Sequence, residues 1–417
     1  MAEIRPIKAL RYTEKAGDIK NCVCPPYDII SESERLELLE SSPYNVIRLE
    51  KPVGEDRYEK AEETFNDWLY NGIIKRDEKE GIFVYREEFS VAGHDYVLTG
   101  LVCLVKLCDF SERVILPHEE TLKKAKTDRY NLMCATNCNF SSVYGLYNDD
   151  SDTVSKETAK AEKEKPVVMF RDDENVTHTL WKIESEESIK NICDSFKDRQ
   201  IFIADGHHRY ETALRYRDMI RKSGSDDADY IMMTLVATDN KGLVVFPTHR
   251  MIVDMPVSRD EIIKKCSSCF DMKILPLEKL EISLKEDENE HFFAMYTGGD
   301  DFLLLKAKKC ISEKTIEDRS EAYSDLDVSI LHYYILEQAL GIDKENMANQ
   351  INLRYTRSYG EAIDSVRKKR AEACFIINPT KIRQIKAVSL AGDKMPQKST
   401  YFYPKLKTGL VMNILRK

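Results

Sequence analysis

The stretch that most constrains the fold of this 417-residue chain is Gln200-Ile201-Phe202-Ile203-Ala204-Asp205-Gly206-His207-His208-Arg209-Tyr210-Glu211-Thr212-Ala213-Leu214. Residues 200–204 are β-branched or aromatic enough for a buried strand, and Gly206 permits a tight turn behind them. From His208 to about Arg221 the apolar positions Ala213, Leu214, Tyr216 and Ile220 recur at helical spacing. The backbone therefore turns from strand to helix within about three residues. The first N–H groups of a helix lack internal partners and sit at the positive end of its dipole, so this elbow is a ready anion site. Arg209 adds a fixed charge with a bidentate fork, and His207 and His208 can each donate, accept or transfer a proton. Asp205 can hold a cation such as Mg²⁺ or orient an imidazole. Two other readings stand beside this one: Asp205 as a simple helix cap, and Asp205, His207 and His208 as a metal site. Capping does not require two histidines and an arginine at one corner, and no Cys or third His lies near in sequence to complete a metal site.

Composition narrows the classes. With 42% hydrophobic and 32% charged residues the chain is long enough for two or three ordinary globular domains. The longest apolar runs, such as Tyr230–Ala237, are far shorter than the roughly 20 residues a membrane helix needs. The start, Met1-Ala2-Glu3-Ile4-Arg5-Pro6, lacks the apolar centre of a signal peptide, so a cytoplasmic protein without a membrane partner is expected. A formal charge of −9 argues against coating nucleic acid. The eleven cysteines are scattered, and Cys22/Cys24, Cys134/Cys138 and Cys266/Cys269 have no matching zinc-finger partners downstream.

Along the chain, three regions are expected: 1–110, an N-terminal α/β region; 111–255, a core carrying the elbow; and 256–417, a C-terminal α/β region. The first holds the stiff loop Cys24-Pro25-Pro26-Tyr27-Asp28, which can position Tyr27 and Asp28 in a site. A helix introduced by Ser31, a strand over Asn45–Glu50, a helix over Tyr58–Tyr70 and a hairpin turned at Ala92-Gly93-His94 follow. In the core, His118 and Glu119 follow Pro117 at the end of an apolar strand, where Glu119 can serve as a general base. Asp128 and Arg129 come about two turns later and are expected within reach of the same cleft. His249 and Arg250 end a strand, either as phosphate contacts or as surface residues. Further on, Leu326–Leu340 reads as an amphipathic helix stopped by Gly341, and the chain closes on Gly409–Leu415. Residues 395–407 are too polar for core and too aromatic for a linker, and are expected to fold back toward the elbow, with Lys398, Ser399, Thr400 and Lys405 suited to phosphate oxygens.

Asp205-Gly206-His207-His208-Arg209-Tyr210-Glu211-Thr212-Ala213 resembles the signature of the prokaryotic family known as domain of unknown function 1015. Ile4–Arg11, Cys24–Ile30, Tyr85-Arg86, His118–Thr121, Asp128-Arg129, His178–Trp181 and Met395–Leu406 resemble that family in the same order, so the likeness spans essentially the whole chain. The elbow is also similar to the Gly-x-x-Arg-x-x-Ala phosphate-binding turn of the ParB/sulfiredoxin superfamily. That likeness implies an α/β (α+β) fold with a ParB/sulfiredoxin-like mixed-sheet core. Sulfiredoxin chemistry needs a Cys just before the His-Arg, where this chain has His207, and no helix-turn-helix of a partition protein is evident.

The superfamily's free-serine kinases imply a nucleotide-dependent small-molecule kinase, with ATP or ADP and Mg²⁺ as cofactors and the hydroxyl of free L-serine as acceptor. In that reading Glu119, Asp205, His207 and His208 are catalytic, with Asp205 also the Mg²⁺ ligand. Gly206, His207, His208, Arg209, Arg129 and Lys398 bind the nucleotide, and Thr121, Asp128 and His249 bind the acceptor. The alternatives are a metal-dependent ParB-like nuclease or phosphodiesterase and a non-catalytic nucleotide-binding regulator.

Overall fold

Ile82–Val91 and His94–Lys106 form a long hairpin, in register from Phe83 opposite Val102 to Val91 opposite His94. Ala92 and Gly93 at its tip both have positive φ, the type I′ geometry that suits the twist of paired strands. In the computed structural model, which describes residues 1–121, 123–285, 287, 289–312, 315–316 and 318–415, this hairpin lies inside a nine-stranded sheet. The order runs Ile115–Leu116, Ile201–Asp205, Val143–Tyr147, Tyr230–Ala237, His94–Lys106, Ile82–Val91, Thr177–Ile183, Val168–Arg171. Ile4–Arg5 pairs with His94–Lys106 off this path. Two pairings are parallel, Ile201 with Ile115 and Met233 with Val143 onward, and the others are antiparallel. The architecture is mixed α/β.

The chain divides into two compact units that no linear cut expresses. The first comprises Met1–Pro117, Thr121–Val244 and the residues from Pro404 onward; the second comprises His118–Glu120 and Val245–Tyr403. In the first, the helix His207–Lys222 lays Tyr210, Ala213, Tyr216 and Ile220 on the sheet residues Val143, Ile201, Ile203 and Leu235. Each large apolar side chain buried this way contributes about 1.5–3 kcal/mol. A second apolar cluster joins Cys22, Cys24, Val46, Trp68 and Phe140 to Met412 near the chain's end.

The second unit is built on a six-stranded antiparallel sheet, Phe270–Pro276, Asp301–Ala307, Phe292–Tyr296, Ala373–Ile377, His249–Ile252, Leu353–Thr356. Its faces carry separate apolar clusters, one around Phe293, Leu305, Ile335 and Phe375 and the other around Phe292, Tyr296, Leu304 and Ile376.

Several segments depart from the sequence expectation. Asn45–Glu50 is not a strand: Asn45 Oδ1 accepts the Ile47 amide, and Ile47–Glu50 closes as a short helix. Short apolar runs fit either period, and an Asx turn decided this one. Leu326–Leu340 is not a uniform α-helix. A turn at Asp327–Ile330 widens into a π-helix over Leu331–Glu337. Near the chain's end Asn413–Ile414 is a short strand paired with Cys138–Asn139. The helix starting at Glu32 does carry its Ser31 cap, with Glu34 reaching back to complete a capping box.

His291 in the second unit bonds Asp327 through Nδ1 at 2.6 Å and faces Asp325 through Nε2 at 3.4 Å. Burial opposes its charge, but the bonds to Asp325 and Asp327 prevail and raise its pKa to about 9, from 6.5. A folded-state pKa above the unfolded value stabilises the fold fully below about pH 6.5, and this contribution is lost as pH rises through about 9. His291→Gln should therefore cost up to about 3 kcal/mol at pH 6 and much less near pH 10, read by urea unfolding. An equal deficit at both pH values would mean that the ring acts through packing alone.

Candidate functional site

The strand Ile201–Asp205 and the helix His207–Lys222 meet at Gly206, whose φ of +90° lies in the left-handed region. A Cβ there would stand 3.0 Å from the Arg209 guanidinium. The pairing with Val143–Tyr147 shifts register between Ile203 and Asp205, setting Asp205 opposite Tyr144. Such a bulge bends the strand and re-aims the side chain beyond it. Gly206, the residue before the helix, has no side chain with which to cap it.

Asp205 is surrounded by positive charge. Lys405 Nζ lies 3.2 Å from its Oδ2 and Arg209 Nη2 lies 3.6 Å from the same oxygen. Burial by itself would raise the carboxyl's pKa, but the charges of Lys405 and Arg209 outweigh it and hold Asp205 well below the usual carboxylate range. Arg209 also donates from Nη1 to the Ser142 carbonyl. His207 is buried at 2% exposure. Burial chiefly lowers the pKa of His208, against the pull of Asp28 and Glu211, so the ring is neutral at pH 7.

Other residues expected in the site are held in this unit by defined partners. Arg129 bonds Asp128 at 2.7 Å and the Glu50 carbonyl at 2.7 Å, with its guanidinium carbon 4.1 Å from the Tyr27 ring centre. Asp128 also accepts from Tyr58 at 2.8 Å. Thr121 donates to Glu211 at 2.8 Å, and Lys126 reaches the other Glu211 oxygen at 2.7 Å. Burial raises the Tyr27 phenol to about 12, with Arg129, Asp28 and Arg209 among the charges acting on it. The Cys24–Asp28 loop thus brings Tyr27 and Asp28 into the electrostatic surroundings of the elbow. A cavity of about 30 Å³, room for roughly one water, lies among Glu50, Arg129, Ser141 and Arg209.

The remaining expected residues belong to the second unit. The His118 carbonyl accepts from the Met395 amide at 2.7 Å, its Nε2 lies 3.3 Å from Thr400 Oγ1, and Glu119 forms a parallel bridge with Met395. The Lys398 carbonyl accepts from Arg250 at 3.2 Å. His249 is buried on a central strand, where its Nδ1 accepts the Ile377 amide at 3.4 Å and burial pushes its pKa down to about 4.

A polar cluster in the first unit was not singled out as a site by sequence reasoning. His178 bonds Tyr85 at 2.7 Å through Nδ1 and Asp172 at 3.0 Å through Nε2, and Glu87 stands 3.4 Å from Nδ1. Lys407 pairs with Asp172 at 2.7 Å. Burial disfavours the His178 charge, yet the Asp172 and Glu87 contacts raise its pKa. Tyr144 feels both Glu87 and Asp205, which links this cluster electrostatically to the elbow. Tyr85 and His178 lie in stretches already marked by family resemblance, but nothing in their spacing reveals that they meet.

Gly206→Ala places an L side chain at positive φ against Arg209 and should cost about 1–2 kcal/mol, measured by urea unfolding. Retention of full stability would show that the elbow relaxes without this glycine.

No curated protein sequence matches the chain. Solved structures show distant likeness. A conserved hypothetical protein from Pyrococcus furiosus has a TM-score of 0.35 at 13% identity, covering 74% of this chain and 92% of its own. A free serine kinase in complex with AMP has 0.35 at 12% identity, covering 73% and 86%. SbnI with a C-terminal truncation, from Staphylococcus aureus, has 0.38 at 8% identity, covering 75% and 87%. The model of one family, described as a protein of unknown function, DUF1015, matches residues 4–329, and the chain belongs to that family.

Proposed function

We propose that the elbow binds the phosphates of a nucleotide and that the protein is a small-molecule kinase, with ATP or ADP as donor and free L-serine as acceptor. The observation that carries the reading is the convergence of Arg209 and Lys405 on Asp205 at the start of a helix. Phosphoryl transfer is catalysed mainly by positioning and by charge placed around the transferred group. The amides of the helix start, Arg209 and Lys405 would take up phosphate oxygens. His208, neutral at pH 7, would donate a hydrogen bond without adding charge.

Among the described residues no group of three His, Cys, Asp or Glu side chains stands ready to hold a metal. Mg²⁺ commonly takes one or two carboxylates plus substrate phosphates. Asp205 suits that mode, and the ion would neutralise charge developing on the phosphoryl group. Glu119 is proposed as the base on its sequence position, and Asp28 is the alternative carboxylate from the elbow's own unit. Serine as acceptor rests on the sequence likeness of the elbow to the free-serine kinases.

The test is to incubate the protein with Mg²⁺, ATP or ADP and a panel of hydroxyl amino acids, following phosphoserine and nucleotide products by mass. Phosphoserine should form only with serine present, and Asp205→Asn should lower the rate by about 10²–10⁴. Lys405→Ala should weaken nucleotide binding about tenfold, the effect of losing one charge-assisted contact. Glu119→Gln and Asp28→Asn compared side by side identify the base. Nucleotide binding without acceptor-dependent turnover would replace the kinase with a regulator, and absence of both would remove the reading.

A further inference from the structure

The six-stranded unit holds a cavity that the elbow chemistry does not use. It begins with the π-helix Leu331–Glu337, where the Gln338 amide bonds the Tyr333 carbonyl at 3.2 Å and the Leu340 amide bonds Ile335 at 2.9 Å, each five residues back. π turns are rare and concentrate at functional sites. This one sets His332, Tyr333 and Glu337 on the wall of a cavity of about 160 Å³. A volume near 150 Å³ accommodates a single-ring molecule. The other walls include Ile316, Tyr323, Met347, Tyr355, Met395 and Pro396.

His332 is 8% exposed, and its Nε2 accepts from Arg250 Nε at 3.2 Å. That bond leaves the ring proton of the neutral imidazole on Nδ1. Burial and the Arg250 charge both push the His332 pKa well below its ordinary value, so the ring is a neutral N–H donor. Arg250 itself is 0% exposed. Its partners are neutral: His332, the Thr248 and Lys398 carbonyls, and the Tyr355 ring at 5.4 Å. Among the described residues no carboxylate pairs with it. A buried cation left without a counter-charge is costly. The surroundings that would offset it best are those of an anion brought to the His332 side of the cavity.

We infer that this cavity binds a small carboxylate with an aromatic body, its carboxylate on His332 Nδ1–H in front of Arg250 and its ring among Tyr333, Tyr355 and Met347. A tyrosine- and methionine-lined wall favours an aromatic ring over an aliphatic or sugar body. The inference uses the second unit alone and does not rest on the proposed kinase.

The test is calorimetry and thermal shift on the full chain at pH 7 with benzoate and 3-phenylpropionate, against 3-phenylpropanamide and phenyl phosphate. A carboxylate should raise the melting temperature and bind at least about tenfold more tightly than the amide of the same shape. Ala348→Trp, at an exposed position on the cavity lining, should abolish this binding while leaving the fold intact. His332→Gln, which can still accept from Arg250 and donate, should retain part of it, whereas His332→Phe should lose it. Asp205→Asn should bind the carboxylate as the unaltered protein does, so a failed kinase assay and a failed carboxylate site remain separate results. Equal affinity for acid and amide, preference for phenyl phosphate, unchanged binding in Ala348→Trp, or no binding of any probe would overturn the assignment.

Discussion

A carboxylate at the end of a buried strand keeps its charge only where cations meet it, and much of the first unit follows from how Asp205 is met. Arg209 comes from the same elbow, one turn into the helix, but Lys405 comes from two hundred residues further along the chain. Two residues beyond Lys405, Lys407 meets Asp172. Thr408 and Met412 then exchange backbone hydrogen bonds with Cys24 and Leu10. The chain's last segment is thus tied to the first unit by charge at its start and by backbone pairing afterward. Removing either lysine leaves a carboxylate without one of its compensating charges, a costlier change than losing an exposed ion pair.

The buried charges of this protein are handled in two ways. Around His178 the charges are mutual: Asp172, Glu87 and Lys407 accompany the ring, and Tyr85 bonds both His178 Nδ1 and Glu87 Oε1. Such a network favours one arrangement of its members, because hydrogen bonds and charges in a low-dielectric interior reinforce one another. Around Arg250 the described residues supply no counter-charge; its partners among them are carbonyls, an imidazole and an aromatic face. The first pattern carries its own counter-charges. The second is electrostatically open, and it stands beside a cavity lined by His332 and Tyr355.

The elements legible in the sequence were those whose signals are local. The hairpin at Ala92-Gly93, the Ser31 capping box and the strand-to-helix elbow each follow from turn chemistry or periodicity within about fifteen residues. Local signals failed where the same residues serve two geometries. Val46, Ile47 and Leu49 bury equally well in a strand or a short helix, and the Asn45 side chain, bonded to Asn21 and to the Ile47 amide, selected the helix. The apolar spacing of Leu326–Leu340 suited an α-helix, but the last residues wind with five-residue hydrogen bonds that bring Ile335, Leu336 and Ala339 into the core.

By itself, the sequence determined that an apolar strand must turn sharply at Gly206 into a helix bearing Arg209, because no other backbone suits that order of residues. It also determined, through the matched family, where the chain's relatives lie. Only the tertiary structure decided which charges meet: Lys405 with Asp205, Lys407 with Asp172, Arg129 with Glu50 and Asp128, and Arg250 with no acid among the described residues. Charge pairing over such separations is set by the packing that closes the loops between them, and linear order carries little information about that packing.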